Sequence, residues 1–218
     1  NSESYYLLGL VLLYQAKDQE AYDAFFKATW SNEQQEMSFY FLAVIDTRQG
    51  KFAKALEHVE KALIKNAHNI KARGLKAYVL RKLDRTVEAA AWVEENLALD
   101  PFDFVSGTEK VLLNHNESEL RAALNNKMRN FQENYLMTAR DYAEFGAHEE
   151  AVAVLQECTK EYPMLKYYEA YYRNLMGEDV ETILQQAENY APDYCFPNKL
   201  EDIAVLRFAA SFDRGSKA

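Results

Sequence analysis

Small residues recur at a fixed spacing along the first half of the chain. Around Gly50, two amphipathic helical segments carry Ala43, Ala55 and Ala62 in positions that share a helix face. Steps of 34 residues backwards and forwards from these three reach Gly9, Ala21, Ala28, Ala77, Ala89 and Asn96. A period of this length with small residues in fixed places is typical of stacked helix pairs. The sequence therefore predicts a helical repeat protein.

The composition agrees with an all-helical globular chain and argues against several other classes. Of the 218 residues, 49% are hydrophobic and 27% are charged, with only 7 glycines and 4 prolines. The low content of glycine and proline, together with a helical pattern throughout, argues against a β-sandwich or an α/β fold. The formal net charge of −9 argues against nucleic-acid binding, because phosphate contacts need a basic face. No apolar run is long enough to predict a membrane span.

The repeat pattern divides the chain into units of one helix pair each, within one repeat domain over residues 1–218. The expected units are 2–35, 36–69, 70–103, a degenerate unit 104–131, 132–165, a shortened unit 166–197 and a terminal helix 198–212. The third unit departs from the pattern at Arg73, Lys76 and Asn96. The polar residues from Asp213 onwards are expected to form a tail.

These residues resemble the tetratricopeptide repeat, a family of helix pairs with preferred residue types at set positions. The first unit matches with Tyr5, Leu8, Gly9, Leu12, Ala21, Phe25 and Ala28. The second unit matches with Phe39, Leu42, Ala43, Ala55, Val59 and Ala62. The resemblance implies an all-α fold, namely an α-solenoid of antiparallel helix pairs wound into a right-handed superhelix. It also implies a non-catalytic module that binds a protein or peptide partner.

A second resemblance concerns the segment Asp193–Pro197, which stands just before Lys199–Glu201. It is similar to the repeat region that follows a mutarotase-like domain in large bacterial proteins, many of them from gut Bacteroidetes. The resemblance implies an alternative role, as an accessory or docking domain of a larger carbohydrate-active bacterial protein. Because the chain starts at Asn1 and enters a helical pattern at once, we expect a piece of a longer chain, with flanking repeats or an enzyme domain.

No group of residues in the sequence points to catalysis, to a cofactor or to a metal ion. The four histidines are scattered, without a second His or a Cys at helical spacing. His58 and His148 fall on second helices of their pairs, where we expect them at the surface. Cys158 occupies a small packing position and is predicted to be buried, whereas Cys195 lies in a loop. We therefore predict that the chain is not an enzyme.

A binding face is expected on the first helices of the pairs, which line the concave surface in repeats of this kind. The candidate binding residues are Tyr6, Leu10, Tyr40, Val44, Lys71, Tyr78, Arg81, Arg140, Tyr167 and Tyr171, and Met164 is a further inward-facing position. Tyrosine offers a large contact area at low entropic cost. Such a face suits a peptide or, by stacking, a sugar ring. The alternative is that these aromatic residues pack against neighbouring repeats.

One helix of this acidic chain is basic. It carries Lys71, Arg73, Lys76, Arg81, Lys82 and Arg85. The sequence leaves two interpretations open, a solvated face or a contact with an acidic segment of a partner. The clamp with which some tetratricopeptide repeats hold chaperone C-termini is not expected, because only Lys71 has a suitable side chain at the corresponding positions.

Overall fold

Helices form all the regular structure in the part of the chain that the structure describes. The computed structural model describes residues 2–193 and 195–212, so Tyr194 and the tail expected from Asp213 lie outside it. Within these ranges the helices are α1 (Ser2–Tyr14), α2 (Asp18–Ala28), α3 (Gln35–Arg48), α4 (Phe52–Lys65), α5 (Ile70–Lys82), α6 (Thr86–Leu99), α7 (Phe104–Leu113), α8 (Ser118–Met128), α9 (Gln132–Glu144), α10 (His148–Glu157), α11 (Pro163–Leu175), α12 (Glu181–Asn189) and α13 (Leu200–Ser211). The all-α prediction is confirmed.

The chain forms two compact units, Asn1–Ala122 (unit 1) and Ala123–Ala218 (unit 2). The division falls within α8, in the stretch 104–131 that the sequence marks as a degenerate repeat. In unit 1, the packed pairs are α1 with α2, α3 with α4, and α5 with α6, and α7 packs on α5 and α6. In unit 2, α9 pairs with α10 and α11 with α12, and α13 packs on α11. A single repeat domain over 1–218 stays a prediction.

The turn inside each of the first three pairs has the same backbone geometry. Ala16, Gly50 and Asp84 stand 34 residues apart and have φ angles of 57°, 70° and 58°. Just after each of them, a backbone N–H reaches back five residues, as in Lys51 N to Asp46 O at 2.8 Å. This left-handed residue and back-reaching hydrogen bond end a helix in the Schellman manner. The repeat therefore extends to the turns, although only Gly50 is a glycine.

The small residues of the repeat lie where helices approach most closely. Ala21, Ala28, Ala43, Ala55, Ala62, Ala77 and Ala89 have no exposed surface. Gly9 is also buried, and a Cβ atom there would lie 2.7 Å from the ring of Phe25. Because such a distance is well inside van der Waals contact, α1 and α2 can pack this closely only with glycine at that position.

Enlarging one of these small positions is expected to destabilise the protein. Ala55→Leu should lower the free energy of unfolding by about 1–3 kcal/mol, because its extra atoms have no space between α3 and α4. Glu57 is exposed on the same helix, so Glu57→Leu should leave stability nearly unchanged. Urea denaturation followed by circular dichroism measures both variants. Equal losses for the two would contradict the close-packing assignment.

Candidate functional site

The predicted binding residues of unit 1 differ in how accessible they are. Tyr40 and Val44 have no exposed surface, and Tyr78 is also buried. The ring of Tyr40 lies edge-on to Phe41, with 5.2 Å between ring centroids. Tyr6, Leu10, Lys71 and Arg81 keep exposed or half-exposed surface. Tyr40, Val44 and Tyr78 are therefore packed inside unit 1, and of these candidates only the other four have accessible surface.

The basic residues of α5 are largely paired with acids of unit 1. Lys76 Nζ lies 2.9 Å from Glu60, and Arg81 contacts the buried carboxylate of Glu109 at 2.6 Å. Arg73 contacts the carboxylate of Glu95. Arg85 contacts that of Glu88, but it lies beyond the end of α5 at Lys82, so the expectation that it shares this helix is wrong. Four of the six basic side chains thus have an acidic partner in their own unit. Neither a freely solvated face nor an acidic partner protein is needed to explain this helix.

Arg73 is the centre of a buried polar network between α5, α6 and α7. Its Nε donates to Asn96 Oδ1 at 2.7 Å, and Asn96 Nδ2 donates to Ser106 Oγ at 2.8 Å. The guanidinium also donates to the carbonyl of Ala67 at 2.9 Å and lies 4.2 Å from the ring centroid of Trp92. Two of the three departures from the repeat pattern, Arg73 and Asn96, are therefore direct partners of each other.

A second buried polar pair lies between α3 and α4. His58 Nδ1 donates to Asp46 Oδ2 at 2.8 Å, and Lys54 Nζ lies 3.6 Å from the other carboxylate oxygen. Lys54 also lies 4.5 Å from the ring centroid of Tyr22. The prediction that His58 is at the surface is wrong, because this side chain turns inward to meet the buried carboxylate of Asp46.

Two other residues are placed differently from their sequence-based expectation. His148 is half-buried rather than exposed, because its ring stacks on Tyr172 with 5.7 Å between centroids. Cys158 is half-buried rather than buried, and its Sγ lies 3.4 Å from Asn130 Oδ1. Partial burial raises the pKa of the Cys158 thiol, which disfavours the reactive thiolate.

In unit 2, the predicted binding residue Arg140 joins three helices. Its Nη1 contacts Glu133 at 2.9 Å, its Nη2 contacts Asp202 at 3.3 Å, and its Nε donates to the hydroxyl of Tyr168 at 3.1 Å. The Tyr168 hydroxyl donates in turn to Asp202 at 2.5 Å. These contacts hold α9, α11 and α13 together, so the guanidinium of Arg140 is already engaged within its own unit.

Asp202 and Tyr168 have shifted pKa values for identifiable reasons. Burial raises the pKa of the Tyr168 hydroxyl well above its usual value, and its bond to Asp202 adds to the shift. Burial alone would raise the pKa of Asp202, but hydrogen bonds from Tyr168 and from the backbone N–H groups of Asn198 and Lys199 outweigh it, and the pKa is lowered. At neutral pH, Asp202 is therefore a charged acceptor that caps the start of α13.

A cavity of about 310 Å³ opens in unit 2 beside the first turns of α11. It is lined by Pro163, Met164, Tyr167, Ala187, Glu188, Tyr190, Pro192, Cys195, Pro197 and Leu206. Met164 and Tyr167 are positions that the sequence predicts to face inward, and Cys195 and Pro197 belong to the segment of the second resemblance. The volume is at the lower end of the range for small-molecule sites. A lining rich in Pro, Met and Tyr suits an apolar or aromatic group.

The last predicted binding residue, Tyr171, belongs to an aromatic cluster in unit 2. It is half-buried, and its ring lies edge-on to Phe208 of α13 at 5.6 Å between centroids. The same cluster packs Phe208 and Tyr167 on the buried residues Ala170 and Leu184. Tyr171 thus helps to fix α13 on α11.

Residues 2–193 and 195–212 show neither a metal-binding group nor a membrane-spanning helix. In these ranges, no three His, Cys, Asp or Glu side chains are grouped so as to hold a metal ion. None of the helices in the same part of the chain is both long and apolar enough to cross a membrane.

Comparisons with known proteins agree on the fold. No protein-family model and no curated protein matches this sequence. Among solved structures, a tetratricopeptide repeat protein from Parabacteroides merdae aligns with a TM-score of 0.56 and 17% identity, over 96% of this chain and 84% of that one. The fold is that of the tetratricopeptide repeat proteins. At this identity the likeness shows the fold alone.

Two further tetratricopeptide repeat neighbours have similar scores. PilW, described as a widely conserved type IV pilus biogenesis factor, has a TM-score of 0.52 and 14% identity over 93% of this chain and 98% of that chain. YrrB, described as a tetratricopeptide repeat protein with an unusual peptide-binding site, has a TM-score of 0.52 and 15% identity over 82% of this chain and 93% of its own. The prediction of helical repeats is confirmed.

Proposed function

We propose that this chain is a non-catalytic interaction module that holds a protein or peptide segment on the first helices of its pairs. The tetratricopeptide repeat fold supports this role, and the solved neighbour YrrB is described as having a peptide-binding site. The observation that carries the proposal is the cavity of about 310 Å³ in unit 2. It opens beside α11, the first helix of its pair, at Met164 and Tyr167.

The chemistry of the cavity favours an apolar or aromatic side chain of the partner. Three prolines, Met164 and Leu206 line it, and Tyr167 and Tyr190 add aromatic surface. An anchor residue that enters such a pocket is desolvated on several sides, which is the usual setting of a binding hot spot. In unit 1, Tyr6, Leu10, Lys71 and Arg81 offer a second accessible surface on first helices.

Removing the aromatic wall of the cavity should weaken binding. The probe is a peptide selected on the wild-type chain from a displayed random peptide library. Tyr167→Ala should raise the Kd of that peptide about tenfold or more, as expected for a buried Tyr contact. Fluorescence anisotropy of the labelled peptide measures the Kd.

Phe131→Ala is the matched control, because Phe131 is an exposed aromatic residue of unit 2 outside the cavity lining. It should change the Kd by less than about twofold. Equal effects of the two substitutions would contradict the cavity as the binding site, as would a library that yields no binder. The melting temperature of Tyr167→Ala must stay near that of the parent, because Tyr167 also contacts the core of unit 2.

The second candidate is an accessory or docking domain of a larger carbohydrate-active bacterial protein. One observation favours it, namely that Pro192, Cys195 and Pro197, from the segment that carries this resemblance and from just before it, line the cavity. Aromatic lining also suits a sugar ring. Saturable binding to a glycan array that Tyr167→Ala abolishes, without any peptide binder, would favour this candidate over a peptide module.

A further inference from the structure

The first helix of unit 1 leaves an apolar stripe exposed. On α1, Leu7 and Val11 are each 53% exposed and Tyr14 is 65% exposed. They stand one and two helical turns apart, so they form one continuous strip on the helix surface. Soluble proteins rarely expose contiguous apolar surface without a role for it.

Two of the three stripe positions are buried in the next two repeats, whereas the equivalents of Tyr14 are the exposed residues Arg48 and Lys82. The residues that follow Leu7 and Val11 at steps of 34 are Phe41 and Ile45 in α3, and Leu75 and Val79 in α5. All four are buried. These two repeat positions are therefore buried in α3 and α5 and exposed only in α1, among the first helices of these three pairs.

The structure also shows what covers the stripe where it is buried. Phe41 of α3 stacks on Phe25 of α2 at 4.9 Å between ring centroids. The ring of Tyr6 in α1 lies 6.3 Å from the same residue. The cover is therefore a helix pair, with one aromatic residue from each helix. Correspondingly, α4 packs on α5.

We propose that the stripe, at Leu7 and Val11, docks one further helix pair of the same repeat type, in the same polypeptide and directly before α1. The interface continues the one already present at α2–α3 and α4–α5. In both of these, the covering second helix comes directly before the covered helix in sequence. The docked pair presents an apolar or aromatic side chain from each helix to Leu7 and Val11.

A second copy of this chain is a poorer occupant. In unit 1, the surface of each pair that would cover such a stripe is already occupied by the next pair. Thus α3 packs on α2, and α5 packs on α4. In unit 2, α13 packs on α11, the first helix of the last pair. One exposed strip on a single helix gives little area for a stable dimer.

The test duplicates residues 2–35 directly in front of Ser2, so that the spacing of 34 residues continues. In the fused protein, the added copies of Tyr6 and Phe25 face the original Leu7 and Val11. The melting temperature should rise by about 5 °C or more over that of the parent chain, because the stripe becomes buried. Binding of the dye ANS, which reports exposed apolar surface, should fall.

The matched control is the same fusion with Leu7→Glu and Val11→Glu in the original α1. Its melting temperature should not rise above that of the parent chain. The parent chain with these two substitutions should melt close to the parent, because both side chains are half exposed. If the two fusions melt at the same temperature, or trypsin removes the added repeat equally fast from both, the proposal is wrong. A dimer of the parent chain that Leu7→Glu and Val11→Glu disperse in light scattering would also overturn it, in favour of a second copy.

Discussion

Arg73→Ala is expected to lower the free energy of unfolding by about 2–4 kcal/mol, since it leaves the buried acceptor Asn96 Oδ1 without its donor and removes the packed stem of a buried side chain. Asn96 Oδ1 and the carbonyl of Ala67 each lose a hydrogen bond from the guanidinium. Trp92 loses one of the two cations that lie over its ring, and Lys76 remains. Because Asn96 is almost fully buried, water cannot replace the lost donor without opening the contact between α5 and α6.

Arg85→Ala is the matched control for Arg73→Ala. Arg85 also forms an ion pair, with Glu88, but both side chains are exposed to solvent. Exposed pairs contribute little to stability, so this substitution should leave the urea midpoint nearly unchanged. Arg73→Lys should fall between the two, because an ammonium group cannot reproduce the planar, forked donors of guanidinium. Similar midpoints for Arg73→Ala and Arg85→Ala would contradict a structural role for the network.

The helix pairs are predictable from the sequence because they depend on a periodic signal. Ala43, Ala55 and Ala62 recur at a fixed spacing, and close helix packing requires small residues at those places. The turns repeat as well, but Ala16 and Asp84 adopt the left-handed geometry of Gly50 without being glycine. No residue type marks those two turns in the sequence.

The polar networks are not predictable in the same way. Arg73 and Asn96 stand out in the sequence only as departures from the repeat, and they are 23 residues apart on different helices. Their bond depends on how α5 and α6 cross, which no single-sequence pattern encodes. His58 is similar, because helical periodicity assigns it to the outer helix of its pair but cannot indicate that Asp46 is within reach.

Only part of the candidate site could be predicted from the sequence. Repeat position indicates which face a residue occupies, but not how deeply the neighbouring helices bury it. Tyr40 and Val44 therefore share a predicted face with Tyr6, yet they have no exposed surface. The cavity beside Tyr167 depends on Pro192, Cys195 and Pro197, which follow α12 where the repeat pattern gives no information.

His58→Ala is expected to lower the free energy of unfolding by about 3–5 kcal/mol, because it leaves a buried carboxylate without its hydrogen-bond donor. Asp46 has no exposed surface, and His58 donates its hydrogen bond at 2.8 Å. Its other oxygen, Oδ1, has no hydrogen-bond partner, and Lys54 stays 3.6 Å away. After the substitution, only this long contact with a half-exposed lysine would compensate the charge. His68→Ala, at an exposed histidine, should have little effect on the same urea midpoint.

A double substitution distinguishes the net contribution of the pair to stability from the loss of stability when only one partner is removed. Asp46→Leu with His58→Leu removes both polar groups and fills the space with apolar atoms, so it should be clearly more stable than His58→Ala. The double-mutant cycle that includes Asp46→Leu and His58→Leu alone should therefore give a coupling energy well above the 0.3–0.5 kcal/mol typical of independent sites. If the two single losses simply add in the double variant, the side chains act independently and the pair has no role in holding α3 against α4.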